Sequence, residues 1–146
     1  MGLTAVAAVY LDANILIESV EGPHADFLRL VRRLTGEGRR FVTSELTLAE
    51  VLTKPFAEAS SDLLCIYEDL LAADGLVETL PVDRAVLRES ARLRAEIGAK
   101  LPDMIHLATA RLAGCEILVS NDKRLRDKGP IERLSILEAA KRLQLP

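Results

Sequence analysis

The sequence predicts an α/β fold, namely a three-layer α/β/α sandwich around a mostly parallel sheet of four to five strands. Apolar runs of strand length alternate along the chain with segments of helical periodicity, a pattern typical of βαβ crossovers. Aromatic residues make up only 3% of the 146 residues, so aliphatic side chains must form the core. Such a core suits helices packed on a parallel sheet. Because no linker or internal repeat interrupts the pattern, residues 1–146 are predicted to form a single domain.

The strands are predicted from apolar runs bounded by turn signals or by polar residues. These runs lie at 5–11, 40–43, 75–81, 115–122 and, as a short fifth strand, 133–137. The run at 5–11, AVAAVYL, is apolar throughout, which indicates a strand buried on both faces.

The helices are predicted from apolar positions at helical spacing together with end signals. They lie directly after Asp12 and at 24–34, 44–53, 60–73, 83–98, 101–114 and in the last residues, 137–145. Ser44 is the expected N-cap of the helix over 44–53, and Pro55 is expected to mark its end. Pro102 falls in the first turn of the helix over 101–114, and Gly114 follows that helix.

Charge and targeting signals leave several classes of function open. The formal net charge of −3 gives no global attraction to nucleic acid, although a local basic patch or a bound cation can provide one. The first residues lack a basic segment, and Asp12 interrupts the apolar run too early for a signal peptide. No run reaches the roughly eighteen uncharged residues that span a bilayer. We therefore expect a cytoplasmic protein with no membrane association.

Cysteines and short motifs exclude other chemistries. Cys65 and Cys115 are far apart and form no CxxC pair, so both are expected to be small buried residues in a reducing compartment. The chain contains no GxxxxGK[ST] or GxGxxG pattern, which argues against nucleotide-cofactor chemistry. No Ser or Cys lies in a nucleophile elbow.

Two strands end in acidic residues. Asp12 follows the first strand in YLDAN, and Asn121 and Asp122 follow the fourth in LVSND. Ligands of open parallel sheets bind beyond the carboxyl ends of the strands, so both carboxylates are expected at the same edge of the sheet. The alternative for either acid is a helix cap.

Two further acids lie on predicted helices. Asp103 follows Pro102 at a helix start, where the helix dipole alone can explain an acid. Glu50 adjoins a predicted apolar stripe along SELTLAEVL, which is formed by Leu46, Ala49, Leu52 and Thr53. A carboxylate beside a buried stripe is harder to explain as a solvated surface residue than one on the wet side.

Three motifs in order resemble those of a PIN domain, in particular the small VapC-type ribonuclease toxins. They are DANILI, SELTLAEVLTKP and LPDMIHLATARLAGCEILVSNDKRL, and the similarity covers 10–125. By this resemblance the four acids of the family fall on Asp12, Glu50, Asp103 and Asp122. The resemblance implies that these acids are catalytic and bind Mg²⁺ or Mn²⁺, with Asn14, Ser120 and Asn121 in supporting positions. It also implies a PIN-like fold, an RNA substrate, a cognate antitoxin and a homodimer.

Metal-dependent hydrolysis of a phosphodiester explains these residue types. The reaction needs an activated water and neutralisation of charge on the phosphate. Mg²⁺ and Mn²⁺ prefer oxygen ligands, and one or two carboxylates can hold them while several waters remain. Clustered carboxylates without a cation repel one another, which raises some of their pKa values. The predicted cluster is therefore complete only when a divalent cation and the substrate phosphate bind.

Three residues near the acids have separate interpretations. His106 shares a helix face with Asp103, but the apolar residues that follow favour a partly buried structural histidine. Lys123 and Arg124 directly follow Asp122 and are candidate contacts to a phosphate backbone. Some PIN relatives have a further acid at this point, so these cations put a second metal position in doubt.

Two other classes of function compete with the nuclease. An aspartyl-nucleophile phosphatase would phosphorylate Asp12, but its DxDx[TV] pattern is broken here by Asn14 and Leu16. A non-catalytic PIN-fold module that binds RNA or protein would keep the fold without turnover. The presence of all four acids argues against that second alternative.

Overall fold

A computed structural model describes residues 7–125 and 129–144. Five parallel strands form one sheet in the order β3-β2-β1-β4-β5, which confirms the predicted α/β fold. The strands are β1 (Val9–Leu11), β2 (Phe41–Ser44), β3 (Glu78–Leu80), β4 (Ile117–Val119) and β5 (Glu132–Leu134). In register, Tyr10 of β1 lies between Val42 of β2 and Leu118 of β4. The first strand in sequence is therefore the central strand of the sheet.

Helices cover both faces of this sheet. They are α1 (Ala13–Val20), α2 (Ala25–Gly36), α3 (Glu45–Ala57), α4 (Ser61–Leu70), α5 (Arg84–Ile97), α6 (Leu101–Leu112) and α7 (Ile136–Gln144). None of the helices in the described part of the chain is long and apolar enough to cross a membrane.

Alternate residues of β1 enter two separate cores. Val9 and Leu11 pack on the face that α1, α2, α4 and α7 cover, whereas Tyr10 packs against α5 and α6. Side chains of successive strand residues point to opposite faces, so a strand buried on both faces needs an unbroken apolar run. The predicted three-layer arrangement is confirmed.

Four of the five strands are shorter than the sequence predicts, whereas β2 keeps its predicted length and is shifted by one residue. Only 9–11 of the predicted 5–11 forms a strand, 5–6 lying outside the described residues, and 117–119 of the predicted 115–122 does so. The predicted fifth strand, 133–137, instead spans 132–134 and gives way to α7. An apolar run indicates which residues are buried. Residues beyond the ends of a strand are also buried, although they form no hydrogen bonds to a neighbouring strand.

Two further sequence predictions are wrong. Pro55 does not end α3, which continues to Ala57. The proline removes one helical hydrogen bond, and burial of its ring in the core offsets that loss. Cys65 is exposed on α4, where its thiol contacts Asp69 one turn later. Cys115 is buried as predicted, and burial raises the pKa of its thiol to about 11.

Glu21 connects three helices at the end of α1. Its carboxylate accepts a hydrogen bond from Lys54 Nζ of α3 at 2.9 Å and another from the buried Tyr67 hydroxyl of α4. The Tyr67 hydroxyl, and then Lys54, hold the pKa of Glu21 below its ordinary value. A lowered carboxyl pKa adds stability above the unfolded-state pKa, and this stability is lost as the pH falls through the folded-state pKa.

We therefore expect Glu21→Gln to lower the free energy of unfolding by about 1 kcal/mol at pH 7. The difference from the wild-type protein should shrink as the pH falls through the lowered pKa of Glu21, where the carboxylate becomes protonated. Urea unfolding at a series of pH values measures this difference. An equal loss at acidic and neutral pH would contradict the role given to the Glu21 charge.

Candidate active site

Asp12 lies where β1 passes into α1, at the carboxyl edge of the sheet. Its backbone N–H donates to Val119 of β4 at 3.2 Å, and its side chain accepts from the Ile15 N–H of α1 at 3.0 Å. The residue is only 6% exposed, and this burial raises the pKa of its carboxyl group, while a hydrogen bond with Ser120 lowers it. Asp12 is therefore a helix cap and also a buried carboxylate at the predicted edge.

Ser120 and Asp122 follow β4 beside it. The Ser120 side chain is buried, and its Oγ accepts from the Asp122 backbone N–H at 3.1 Å. The Asp122 carboxylate accepts from Arg124 Nε at 3.1 Å and Nη2 at 3.3 Å, and Arg124 holds the pKa of Asp122 below its ordinary value. Asp122 is thus already paired with a side-chain cation.

Asp103 and Glu50 approach from α6 and α3. Burial, and then the negative charge of Asp122, raise the pKa of Asp103. Glu50 Oε1 accepts a hydrogen bond from His106 Nε2 at 2.6 Å. The apolar stripe predicted beside Glu50 is displaced, because Ala49 and Thr53 are exposed. The residues of α3 that are buried are Thr47, Val51, Leu52 and Pro55.

The structure brings all four predicted acids to one small cavity of about 40 Å³. They arrive from four separate segments, namely the end of β1, α3, α6 and the loop after β4. The cavity is lined by Asp12, Ala13, Asn14, Glu50, Asp103, His106, Asp122 and Leu125.

The residues predicted to support the acids or to bind substrate differ in their distance from this cavity and in their contacts. Asn14 is exposed on its wall, and Lys123 is exposed outside it. Asn121 connects α1 with α7, since its Nδ2 donates to Glu18 at 2.9 Å and its Oδ1 accepts from the Ile136 N–H at 3.0 Å. Asn121 thereby supports the edge of the sheet, while Ser120 contacts the acids themselves.

The contact between Tyr10 and His106 is missed by the sequence analysis. His106 is 3% exposed, and its Nδ1 lies 2.5 Å from the hydroxyl of the fully buried Tyr10. A tyrosine in an otherwise aliphatic strand was the available signal, because a buried hydroxyl needs a hydrogen-bond partner. His106 is buried as expected, but it also contacts one of the candidate acids.

The donor atoms suit a hard divalent cation. All four acids offer carboxylate oxygens, the ligands that Mg²⁺ and Mn²⁺ prefer. Within 7–125 and 129–144, however, no three acid, histidine or cysteine side chains lie close enough together to hold a metal ion. Arg124 occupies both oxygens of the Asp122 carboxylate, so the cluster is open. The residues fit such an ion in type and placement, and side-chain rotations would have to complete its shell.

Comparisons with known proteins agree with this fold. A family model for the PIN domain matches residues 9–129. No curated protein sequence matches the chain significantly.

Three of the solved structures similar to this chain come from VapBC systems. DNA-bound VapBC of Salmonella typhimurium is 19% identical with a TM-score of 0.72, covering 90% of this chain and 99% of that one. VapBC2 of Rickettsia felis, bound to a promoter DNA fragment, is 15% identical with a TM-score of 0.71 and coverages of 88% and 98%. VapBC-5 of Mycobacterium tuberculosis is 26% identical with a TM-score of 0.58 and coverages of 89% and 99%. Since the family model spans most of its length, the chain belongs to the PIN domain family.

Proposed function

We propose that this protein is a divalent-metal-dependent endoribonuclease and the toxin of a toxin–antitoxin pair. One observation carries the proposal: four acids from four separate segments line a single cavity at the carboxyl edge of the sheet. Helix capping explains Asp12 alone, but it does not explain why Glu50, Asp103 and Asp122 meet it there. Membership of the PIN domain family supports the same interpretation.

The four acids, Asp12, Glu50, Asp103 and Asp122, would hold Mg²⁺ or Mn²⁺ in this cavity. A divalent cation supplies charge neutralisation at the phosphate and lowers the pKa of a bound water. Asp12 and Asp103 are the acids whose pKa values are raised by burial, and a cation relieves the cost of keeping them ionised there. Ser120 orients Asp12 and the backbone of Asp122, so both acids keep a fixed spacing along the edge.

Lys123 and Arg124 are the proposed contacts to the substrate backbone. Both are exposed beside the cavity, and Arg124 reaches Asp122 at its rim. Cations at this position can bind the phosphates that flank the scissile bond. RNA is the proposed substrate because the motifs of this chain resemble those of VapC-type ribonucleases.

We further propose a cognate antitoxin protein, a homodimer and a cytoplasmic location. Several similar structures are complexes of toxin–antitoxin systems, and two of these contain DNA. An antitoxin segment that covers the cavity would keep the enzyme inactive until it is removed.

Cleavage of total cellular RNA with mapping of the new ends tests the proposal. We expect discrete new ends with Mg²⁺ or Mn²⁺, no cleavage with a chelator, and none by the Asp103→Asn variant. Single-stranded DNA of matched length, assayed in parallel, tests the choice of RNA. Cleavage that persists in chelator or in Asp103→Asn would contradict the proposed site.

The competing functions give different results in the same preparation. A binding module would retain RNA on a filter without producing new ends under any metal condition. An aspartyl phosphatase would incorporate label from acetyl phosphate at Asp12.

A further inference from the structure

A buried hydrogen-bonded array extends from the centre of the sheet to Glu50. The Tyr10 hydroxyl lies 2.5 Å from His106 Nδ1, and His106 Nε2 lies 2.6 Å from Glu50 Oε1. Tyr10 is fully buried and His106 is nearly so, whereas Glu50 is partly exposed at the cavity. The array therefore joins the central strand to Glu50, the one of the four acids that projects from α3.

The donor and the acceptor of each hydrogen bond in this array can be assigned. An ionised Glu50 carboxylate can only accept, so His106 Nε2 must carry a hydrogen and donate it. In a neutral imidazole Nδ1 is then an acceptor, and the Tyr10 hydroxyl supplies the hydrogen. Glu50 thus fixes the Nε2–H tautomer of His106, and Tyr10 stabilises that tautomer by donating to Nδ1.

The surroundings of Tyr10 and His106 hold both side chains in place. Tyr10 lies on the central strand, between Val42 and Leu118 of its neighbours. Its ring meets the His106 ring edge-on, with centroids 5.8 Å apart. In the described part of the chain every buried side-chain nitrogen or oxygen has a hydrogen-bond partner, so the array is complete.

We infer that Tyr10 and His106 are positioning residues that aim the Glu50 carboxylate into the cavity. Of the four acids, Glu50 has the longest and most flexible side chain, and its helix presents it at 35% exposure. Without a fixed donor this carboxylate would sample several rotamers. Binding a ligand would then have to order the side chain, and the lost entropy would weaken binding. This inference rests on the proposed function, since it describes how one of the proposed ligand residues is oriented.

Two amide substitutions at His106 separate positioning from packing. In His106→Gln the amide nitrogen lies near the former Nε2 and can still donate to Glu50. In His106→Asn it lies near the former Nδ1 and can reach only Tyr10. Both variants lose the imidazole ring, so a purely structural role would affect both alike.

Mn²⁺ binding, followed by electron paramagnetic resonance, is the first readout. We expect His106→Asn to weaken Mn²⁺ binding by about 10-fold to 100-fold, as is usual when a hydrogen-bond partner of a ligand is removed. His106→Gln should bind Mn²⁺ close to the wild-type level. Equal affinity in wild type and His106→Asn, or equal losses in both variants, would overturn the inference.

Nitrogen-15 NMR of the imidazole is the second readout and requires no metal. The chain has two histidines, and His24→Gln assigns the remaining signals to His106. We expect the Nε2–H tautomer in the wild-type protein, and in Tyr10→Phe the same tautomer with a shifted Nδ1 signal, because Nδ1 loses its hydrogen-bond donor. A wild-type Nδ1–H tautomer would overturn the inference. If the wild-type protein shows the Nε2–H form but binds no Mn²⁺, the proposed metal chemistry fails while the orientation of Glu50 stands.

Discussion

Asp12→Asn is expected to lower the rate of RNA cleavage by about a thousandfold while leaving the fold intact. Asparagine caps a helix about as well as aspartate, so the bond from the Ile15 N–H is kept. The substitution removes only the negative charge, and with it several kcal/mol of charge stabilisation at the reacting phosphate. Single-turnover cleavage, with thermal unfolding measured on the same samples, shows both effects.

Asp83→Asn is the matched control for this prediction. Asp83 is the exposed N-cap of α5 and accepts from the Val86 N–H at 3.0 Å, so the chemical change and the capping bond are the same. It does not line the cavity with the four acids. We expect this variant to cleave RNA at the wild-type rate. A comparable loss in both variants would mean that capping, not catalysis, explains Asp12.

Arg124→Gln is expected to change metal binding and RNA binding in opposite directions. The guanidinium donates two hydrogen bonds to Asp122 and therefore competes with a cation for that carboxylate. Removing the guanidinium should therefore strengthen Mn²⁺ binding. The gain should be only a few-fold, because the Arg124 side chain is 76% exposed and water screens its pair with Asp122. Loss of one phosphate contact should weaken RNA binding and reduce its log–log salt slope by about 0.7.

Arg29→Gln is the control, because Arg29 is an exposed cation on α2 and does not line the cavity. Fluorescence anisotropy with a labelled RNA, measured in the presence of a chelator, gives the salt slope without cleavage. If Arg124→Gln weakens both Mn²⁺ and RNA binding, Arg124 holds the loop in place and does not compete with the metal. If Arg124→Gln and the Arg29→Gln control share one salt slope, Arg124 does not contact RNA.

The position of two acids at the edge of the sheet could be predicted, because it depends only on residues next to each other in the sequence. Asp12 ends an apolar strand, and Asp122 closely follows another, so parallel strands place both acids on one edge. The contribution of α3 was less accessible, because the apolar stripe inferred from Leu46 and Ala49 is not the stripe that packs. Glu50 was included among the four acids by the resemblance of its motif, not by the periodicity of its helix.

Features that depend on long-range contacts were not accessible from sequence. The bond between Tyr10 and His106 joins residues that lie far apart in the chain and meet only when α6 packs on β1. Whether Cys65 faces the core depends on which side of α4 does so, and a short helix with several apolar residues leaves that choice open. The pairing of Arg124 with Asp122 is likewise a matter of side-chain rotamer, which no sequence pattern specifies.

Crystals soaked in Mn²⁺ test most directly whether the four acids form one metal-binding active site. We predict an anomalous difference peak in the cavity lined by Asp12, Glu50, Asp103 and Asp122, and its loss in crystals of Asp12→Asn. Crystals of Asp83→Asn, treated identically, should keep the peak. An empty cavity in protein that cleaves RNA with Mn²⁺ would contradict the proposed site, and so would a peak that Asp12→Asn leaves unchanged.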